Sequence, residues 1–234
     1  MTQHRNPTRI TTLTATGILA TAAIVGCGRH QDDSAAPTQD QKTQAQKTLS
    51  PHDAAHALEQ LQQLPVTAEN GADYRRAAFG KGWKDLDGNG CSTRNEILAR
   101  DLKDTHSSDG CTITSGILDD PYTGQRINFT RGEKSSQAVQ IDHQVPLSQA
   151  WASGARDWDK NRRVEFANDP ENLLAVDGSA NQAKQDQDAA QWLPKNADYQ
   201  CTYISHQVSI KAKYGLSVDP VSYTHLTLPT KRIV

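Results

Sequence analysis

The chain has 234 residues, and Lys+Arg 25 against Asp+Glu 27 leaves a formal charge of −2, so no strongly basic body advertises a nucleic-acid partner. Hydrophobic residues make up 35% and the mean hydropathy is −0.71, which points to solvated linker in part of the chain. No apolar stretch reaches the roughly 18–20 residues of a spanning helix, which excludes a polytopic membrane protein; coiled-coil and collagen-like repeats are also missing.

Residues 1–26 read as a targeting segment. Arg5 and Arg9 supply a positive start, and Ile10 to Val25 is a modestly apolar run. It ends Ile24-Val25-Gly26-Cys27, similar to a bacterial lipobox, with Cys27 as the lipidated first residue of a lipoprotein. Export, a lipid anchor in a membrane and a disulfide-permissive compartment follow. A plain secretory signal with a chance cysteine is the alternative. Residues 27–50 hold Gln, Asp, Thr, Ser and Lys with almost nothing apolar, a composition unable to offset chain entropy, and read as a disordered tether.

A domain is expected over 51–220. Pro51 opens a helix with Ala55, Leu58, Leu61 and Leu64 at near-helical spacing, and Pro65 stops it. Asn70 to Phe79 reads as a second short helix, and Lys84 to Ser92 as turns. Ser92 or Thr93 caps a helix to about Leu102 that buries Ile97 and Leu98. Cys111 to Leu118 alternates like a strand, Asp119 to Gly124 is turn chemistry, and Arg126 to Phe129 returns as its partner. Ala138 to Ile141 is another strand. Helices are expected at Trp151–Phe166, Ser179–Trp192 and Tyr199–Tyr214, with Asn172–Val176 extended between them. The class is α+β, helix-rich around a small antiparallel sheet.

Residues 221–234 look foreign. Val221 to Thr230 back-translates to a string resembling a transposase mosaic end joined to sequencing adapter, so the natural sequence is expected to end near Pro220 with a terminal piece missing. Cysteine counting agrees with that expectation: setting aside Cys27 leaves Cys91, Cys111 and Cys201. A Cys91–Cys111 pairing closes a loop worth on the order of 3 kcal/mol in the chain-entropy model and leaves Cys201 without a partner. Other pairings stay open.

Two segments carry chemistry. In Val139-Gln140-Ile141-Asp142-His143-Gln144-Val145-Pro146-Leu147 an acid and a histidine follow a strand and precede a Pro-Leu turn. In Asn172-Leu173-Leu174-Ala175-Val176-Asp177-Gly178-Ser179-Ala180-Asn181-Gln182-Ala183-Lys184 two asparagines flank a strand-to-helix turn, with Lys184 one helical turn further on. A hydrolytic site needs an activated water, a counter-charge for the developing oxyanion, and rigid placement of both. Imidazole titrates near neutral pH, so His143 is the candidate general base. Asp142, pointing the other way on extended backbone, is a candidate ligand for a hard divalent cation.

Together the two segments resemble the HNH nuclease motif, the ββα-metal finger. The nearer likeness is to secreted bacterial HNH endonucleases related to the C-terminal domain of the GmrSD restriction enzymes, with Trp151, Phe166-Ala167-Asn168-Asp169-Pro170, Trp192-Leu193-Pro194 and Lys211-Ala212-Lys213-Tyr214-Gly215-Leu216 as further matching residues. It spans about Gly82 to Val218. The resemblance implies a metal-dependent endonuclease acting on DNA with little sequence preference. His143 would be the base, Asn172 the brace of the loop that positions it, and Asp142 and Asn181 ligands of one Mg²⁺ or Mn²⁺. Lys184, Arg94, Arg162 and Arg163 are candidate phosphate contacts.

A rival site lies upstream. Asp85, Asp87, Asn89 and Glu96 occupy positions one, three, five and twelve of an EF-hand loop, with Gly90 at its sharp turn, a pattern for Ca²⁺. On that alternative the protein is a non-catalytic calcium-binding envelope lipoprotein. A nuclease-like DNA-binding protein for uptake is a third reading.

Overall fold

The computed structural model describes residues 50–230. The targeting segment, the lipidation site Cys27 and the tether up to residue 49 lie outside the described residues.

Helix α1 (Pro51–Gln63) begins where Ser50 accepts the Asp53 amide, with Pro51 in the first turn where its missing N–H costs nothing. It buries Ala57, Leu61 and Leu64. The expected helix over 70–79 contracts to a single 3₁₀ turn, Arg76–Phe79, because Asp73 takes φ 61° and Arg75 is extended. Helix α2 (Thr93–Asp101) buries Ile97 and Leu98 as the periodicity requires.

Three antiparallel strands follow, β1 (Lys103–Ser107), β2 (Ile113–Asp119) and β3 (Arg126–Thr130), in the order β1-β2-β3. The segment Lys103-Asp104-Thr105-His106-Ser107 has no apolar alternation to announce it. Strand β4 (Val139–His143) pairs antiparallel with β5 (Leu173–Asp177) in a separate two-stranded sheet, in register Val139 to Asp177 and His143 to Leu173. The fold is α+β, with two small sheets where one was expected.

Helices α3 (Leu147–Ala152) and α4 (Lys160–Ala167) replace the continuous helix expected over 151–166. Gly154, at φ 133°, and the extended Trp158 break it, and Asp159 caps the second piece through the Arg162 amide. Helix α5 (Gly178–Lys184) stops where Gln185 takes φ 52°, well short of Trp192. Helix α6 (Ala197–Tyr214) ends on Gly215 in the left-handed region, and α7 (Pro220–Thr230) covers most of the stretch read as foreign.

Helix α2 lies between the sheets, touching β2, β4 and β5. Arg100 donates to the carbonyls of Pro170 and Leu173, and the Asp101 carboxylate accepts the Ala175 amide, so the end of α2 is bolted to β5. One apolar cluster (Ile97, Leu98, Phe129, Val139, Ile141 and others) fills the space between the sheets. A second, around Phe166 and Tyr214, sits under α3 and α4, and a third joins α1, α6 and Leu226 of α7 around Tyr122 and Tyr203. The Cys91–Cys111 disulfide is formed. Cys201, which counting left over, is not a free thiol in the structure.

Candidate active site

Alternation along β4 sends Val139, Ile141 and His143 to one face, and Gln140 and Asp142 to the other. The two faces do different things.

His143 is 8% exposed at the end of β4. Its Nε2 lies 2.8 Å from the Ala167 carbonyl oxygen at the end of α4. A carbonyl only accepts, so Nε2 carries the hydrogen and Nδ1 holds the basic lone pair. Trp83 stacks on the ring, centroids 5.6 Å apart and planes 13° from parallel. Burial drives the His143 pKa down to about 4; the Ala167 hydrogen bond resists this, while the charges of Arg76 and Lys184 add to it. The imidazole is therefore neutral at pH 7, the form a general base requires.

The turn after His143 is clamped from several sides. Asn172, fully buried, accepts the Val145 amide at 2.8 Å and donates to the Val145 carbonyl at 3.2 Å, a peptide-like pair that a carboxamide alone can make. The Gln144 amide donates to the Asn172 carbonyl. From α6, Gln207 donates to the Gln144 carbonyl, and His206 Nδ1 lies 3.1 Å from Gln144 Oε1. Asn168 accepts the Lys84 amide at 2.8 Å, which holds the Trp83 segment against the end of α4. Asn172 thus holds the Val145 peptide of the turn that follows His143.

On the opposite face α5 covers Gln140 and Asp142. Lys184, fully buried, donates to Asp142 Oδ1 at 2.9 Å and to the His143 carbonyl at 3.0 Å, and the Tyr122 hydroxyl donates to Asp142 Oδ2 at 2.5 Å. Burial raises the Asp142 pKa against the pull of Lys184. Asn181 donates its carboxamide to Gln140 Oε1 at 2.9 Å. The close approach of α5 depends on Gly178, where an added Cβ would fall 2.0 Å from the Gln137 carbonyl oxygen.

These contacts revise several expectations. The oxygens assigned to Mg²⁺ do not fit a cation as they stand, because both carboxylate oxygens of Asp142 are taken by an ammonium and a hydroxyl, and Asn181 is turned to Gln140. The only group of three clustered His, Cys, Asp or Glu side chains among the described residues, Glu69, Asp188 and Asp219, includes none of them. Lys184 is sealed inside and does not face a phosphate. Arg163 donates to the backbone carbonyls of Ala78, Ala155, Arg156 and Trp158 and so holds the broken α3–α4 connection together. Arg162 stacks over Trp158 at 4.6 Å and donates to the Tyr214 carbonyl. Arg94 is partly buried near the start of β4, 3.5 Å from the Val139 carbonyl, and burial lowers its pKa.

The upstream loop does gather its side chains. Asp85 accepts the amides of Gly88 and Gly90, and Asn89 bridges Asp87 and Glu96 through Nδ2 at 2.9 and 2.6 Å.

Sequence reasoning missed Trp83, Tyr122, Gln144 and Gln207. It also passed over exposed Arg75, Arg76, Lys81 and Lys84, whose segment Arg75-Arg76-Ala77-Ala78-Phe79-Gly80-Lys81-Gly82-Trp83-Lys84 interleaves basic and aromatic residues. That interleaving was the available signal for a nucleic-acid surface beside the base.

The family described as GmrSD restriction endonucleases, C-terminal domain, matches residues 92–219, from the cap of α2 to the turn before α7. A protein of Arthroderma benhamiae named "Uncharacterized secreted protein" is 38% identical over 177 residues, 74% of this chain and 83% of the relative. No solved structure matches the chain.

Proposed function

Because the chain belongs to the family of GmrSD restriction endonuclease C-terminal domains, we propose that it hydrolyses phosphodiester bonds in DNA with His143 as general base. The observation that carries this reading is the fixed imidazole: neutral, with Nε2 committed to the Ala167 carbonyl and Nδ1 left basic, on a turn braced by Asn172. Nδ1 takes a proton from water as the water oxygen bonds to phosphorus and the bond to the leaving sugar oxygen breaks. Exposed Arg76 and Lys84, flanking Trp83, supply positive charge for the phosphate backbone, so binding weakens with salt. The finer assignment, an HNH-type finger, is supported by the order β4, β5, α5 with His143, Asn172 and Asn181 at successive corners. That likeness implies Mg²⁺ or Mn²⁺, but the Asp142–Lys184 pair gives no open donor set for either ion.

Supercoiled plasmid tests the reading. Full-length protein nicks it, and His143→Ala lowers the rate at least a hundredfold; undiminished nicking by His143→Ala overturns the assignment of the base. Running each reaction with EDTA, Mg²⁺ or Mn²⁺ decides metal dependence.

Export is part of the proposal. The relative's name, together with the charged and apolar start of this chain, supports it, and the sequence around Cys27 supports a lipid anchor. Labelled palmitate should enter the wild-type protein and not Cys27→Ser.

A second reading, Ca²⁺ in the 85–96 loop, is favoured by the convergence of Asp85, Asp87, Asn89 and Glu96. Calcium would then raise the melting temperature, and Asp87→Ala would lessen the rise while sparing nicking.

A further inference from the structure

Far along the sequence from β4, four side chains meet where no expectation placed a site. Glu69 lies in the segment after α1, Asp188 between α5 and α6, and Asp219 in the turn before α7, and one ligand oxygen from each falls within 4.8 Å of the others. Oxygens bound at about 2.4 Å to one ion are at most about 4.8 Å apart, so the spacing is that of a shared coordination sphere.

The second observation is an orphaned amide. Gln149 of α3 is 8% exposed, places Nε2 3.3 Å from Glu69 Oε2, and leaves its Oε1 without a hydrogen-bond partner. Glu69 Oε1 is buried and unpartnered too. A buried acceptor left unmet is costly, and two on facing side chains call for a shared donor or a cation.

Local donors do not meet this need. Lys211, 5% exposed, is the ammonium that faces the cluster electrostatically, but its hydrogen bond goes to the Ser217 carbonyl at 3.1 Å. The Ala190 amide and the Ser222 hydroxyl serve Asp188, and the Val221 and Ser222 amides serve Asp219 Oδ1. Three carboxylates against one ammonium leave net negative charge in a partly dry site.

We propose that Glu69, Asp188 and Asp219, with the Gln149 carboxamide oxygen, hold one Ca²⁺ that clamps the segment after α1 to the C-terminal half of the domain. All-oxygen donors on three loops and a helix suit calcium, which tolerates irregular spheres of six to eight oxygens; Mg²⁺ demands a tighter octahedron and sheds water reluctantly.

The test uses the full chain carrying Asp85→Asn and Asp87→Asn, which silences the EF-hand-like loop. Isothermal titration with CaCl₂ alone should find one ion per chain, and millimolar Ca²⁺ should raise the melting temperature by several degrees. Adding Glu69→Gln and Asp219→Asn should weaken Ca²⁺ binding at least a hundredfold and erase the shift, while the metal-free melting temperature stays level or rises as like charges are removed. No bound Ca²⁺ in the loop-silenced parent overturns the proposal, whether or not the further variant folds. So does an equal shift with Mg²⁺ or with NaCl at matched ionic strength, which is charge screening. Neither readout involves nucleic acid, so the outcome is independent of the proposed hydrolytic activity.

Discussion

The indole of Trp83 covers one face of the His143 imidazole, 5.6 Å between centroids, and so connects a basic surface segment to the proposed base. Burial under this lid holds the pKa near 4. The acid limb of the kcat/KM profile is therefore expected near pH 4 in the wild type, and an NMR titration of the ring should agree. Trp83→Ala wets the ring, and the limb should move toward 6.5, the ordinary histidine value. The sign for stability follows from linkage. Between pH 6.5 and 4 the unfolded chain binds the extra proton, so the His143 contribution is whole above 6.5 and is lost as pH falls toward 4. A wild-type limb near 6.5 would sink this account of the base.

Asn172 meets both polar groups of the Val145 peptide inside the core. Asn172→Ala leaves a buried N–H and a buried C=O unpaired, and should cost about 2–4 kcal/mol in urea melts. Nicking should fall more than tenfold at temperatures where the variant is still folded, since the turn bearing His143 loses its brace. Asn172→Asp keeps the acceptor but buries a charge, and should not rescue either property.

The Lys184–Asp142 pair is sealed from water. Lys184→Met strands the carboxylate and should destabilise the fold by about 3–5 kcal/mol at pH 7. Without its partner the carboxyl pKa rises further above that of the unfolded chain, so the folded state binds the extra proton and the deficit should narrow between pH 7 and 5. Adding Asp142→Leu should recover much of the loss at every pH. An equal deficit in single and double variants would mean that packing, rather than charge, sets the cost.

Gly178→Ala tests how closely α5 must lie on β4. Its Cβ would overlap the Gln137 carbonyl oxygen at 2.0 Å, so the helix has to shift bodily. A loss of about 2 kcal/mol or more is expected by thermal or urea melting. A change under about 0.5 kcal/mol would show that the helix start accommodates a side chain.

Much of this was legible because it is local. The three-residue spacing of Leu58, Leu61 and Leu64, the apolar face of α6 and the alternation of β2 each follow from backbone periodicity. The extended stretches that became β4 and β5 were legible too, though not their pairing, and a role for Asn172 came from the family resemblance. What escaped was set by tertiary partners. Strand β1 is polar throughout and exists because β2 offers an edge to it. Lys184 reads as a phosphate contact until Tyr122 and Asp142 are seen to enclose it, and so does Arg163 until its carbonyl partners are seen. Sequence spacing likewise gave no hint that Glu69 and Asp219 would meet.

Strands β4 and β5 are hydrogen-bonded neighbours, yet the entire stretch 144–172 loops out between them. Closing so distant a contact exacts entropy before any pairing energy is returned. The tautomer of His143 is fixed by a carbonyl from the last of those helices. A chain lacking α4 would therefore carry the imidazole but not its orientation, so the proposed chemistry depends on a helix outside the two strands.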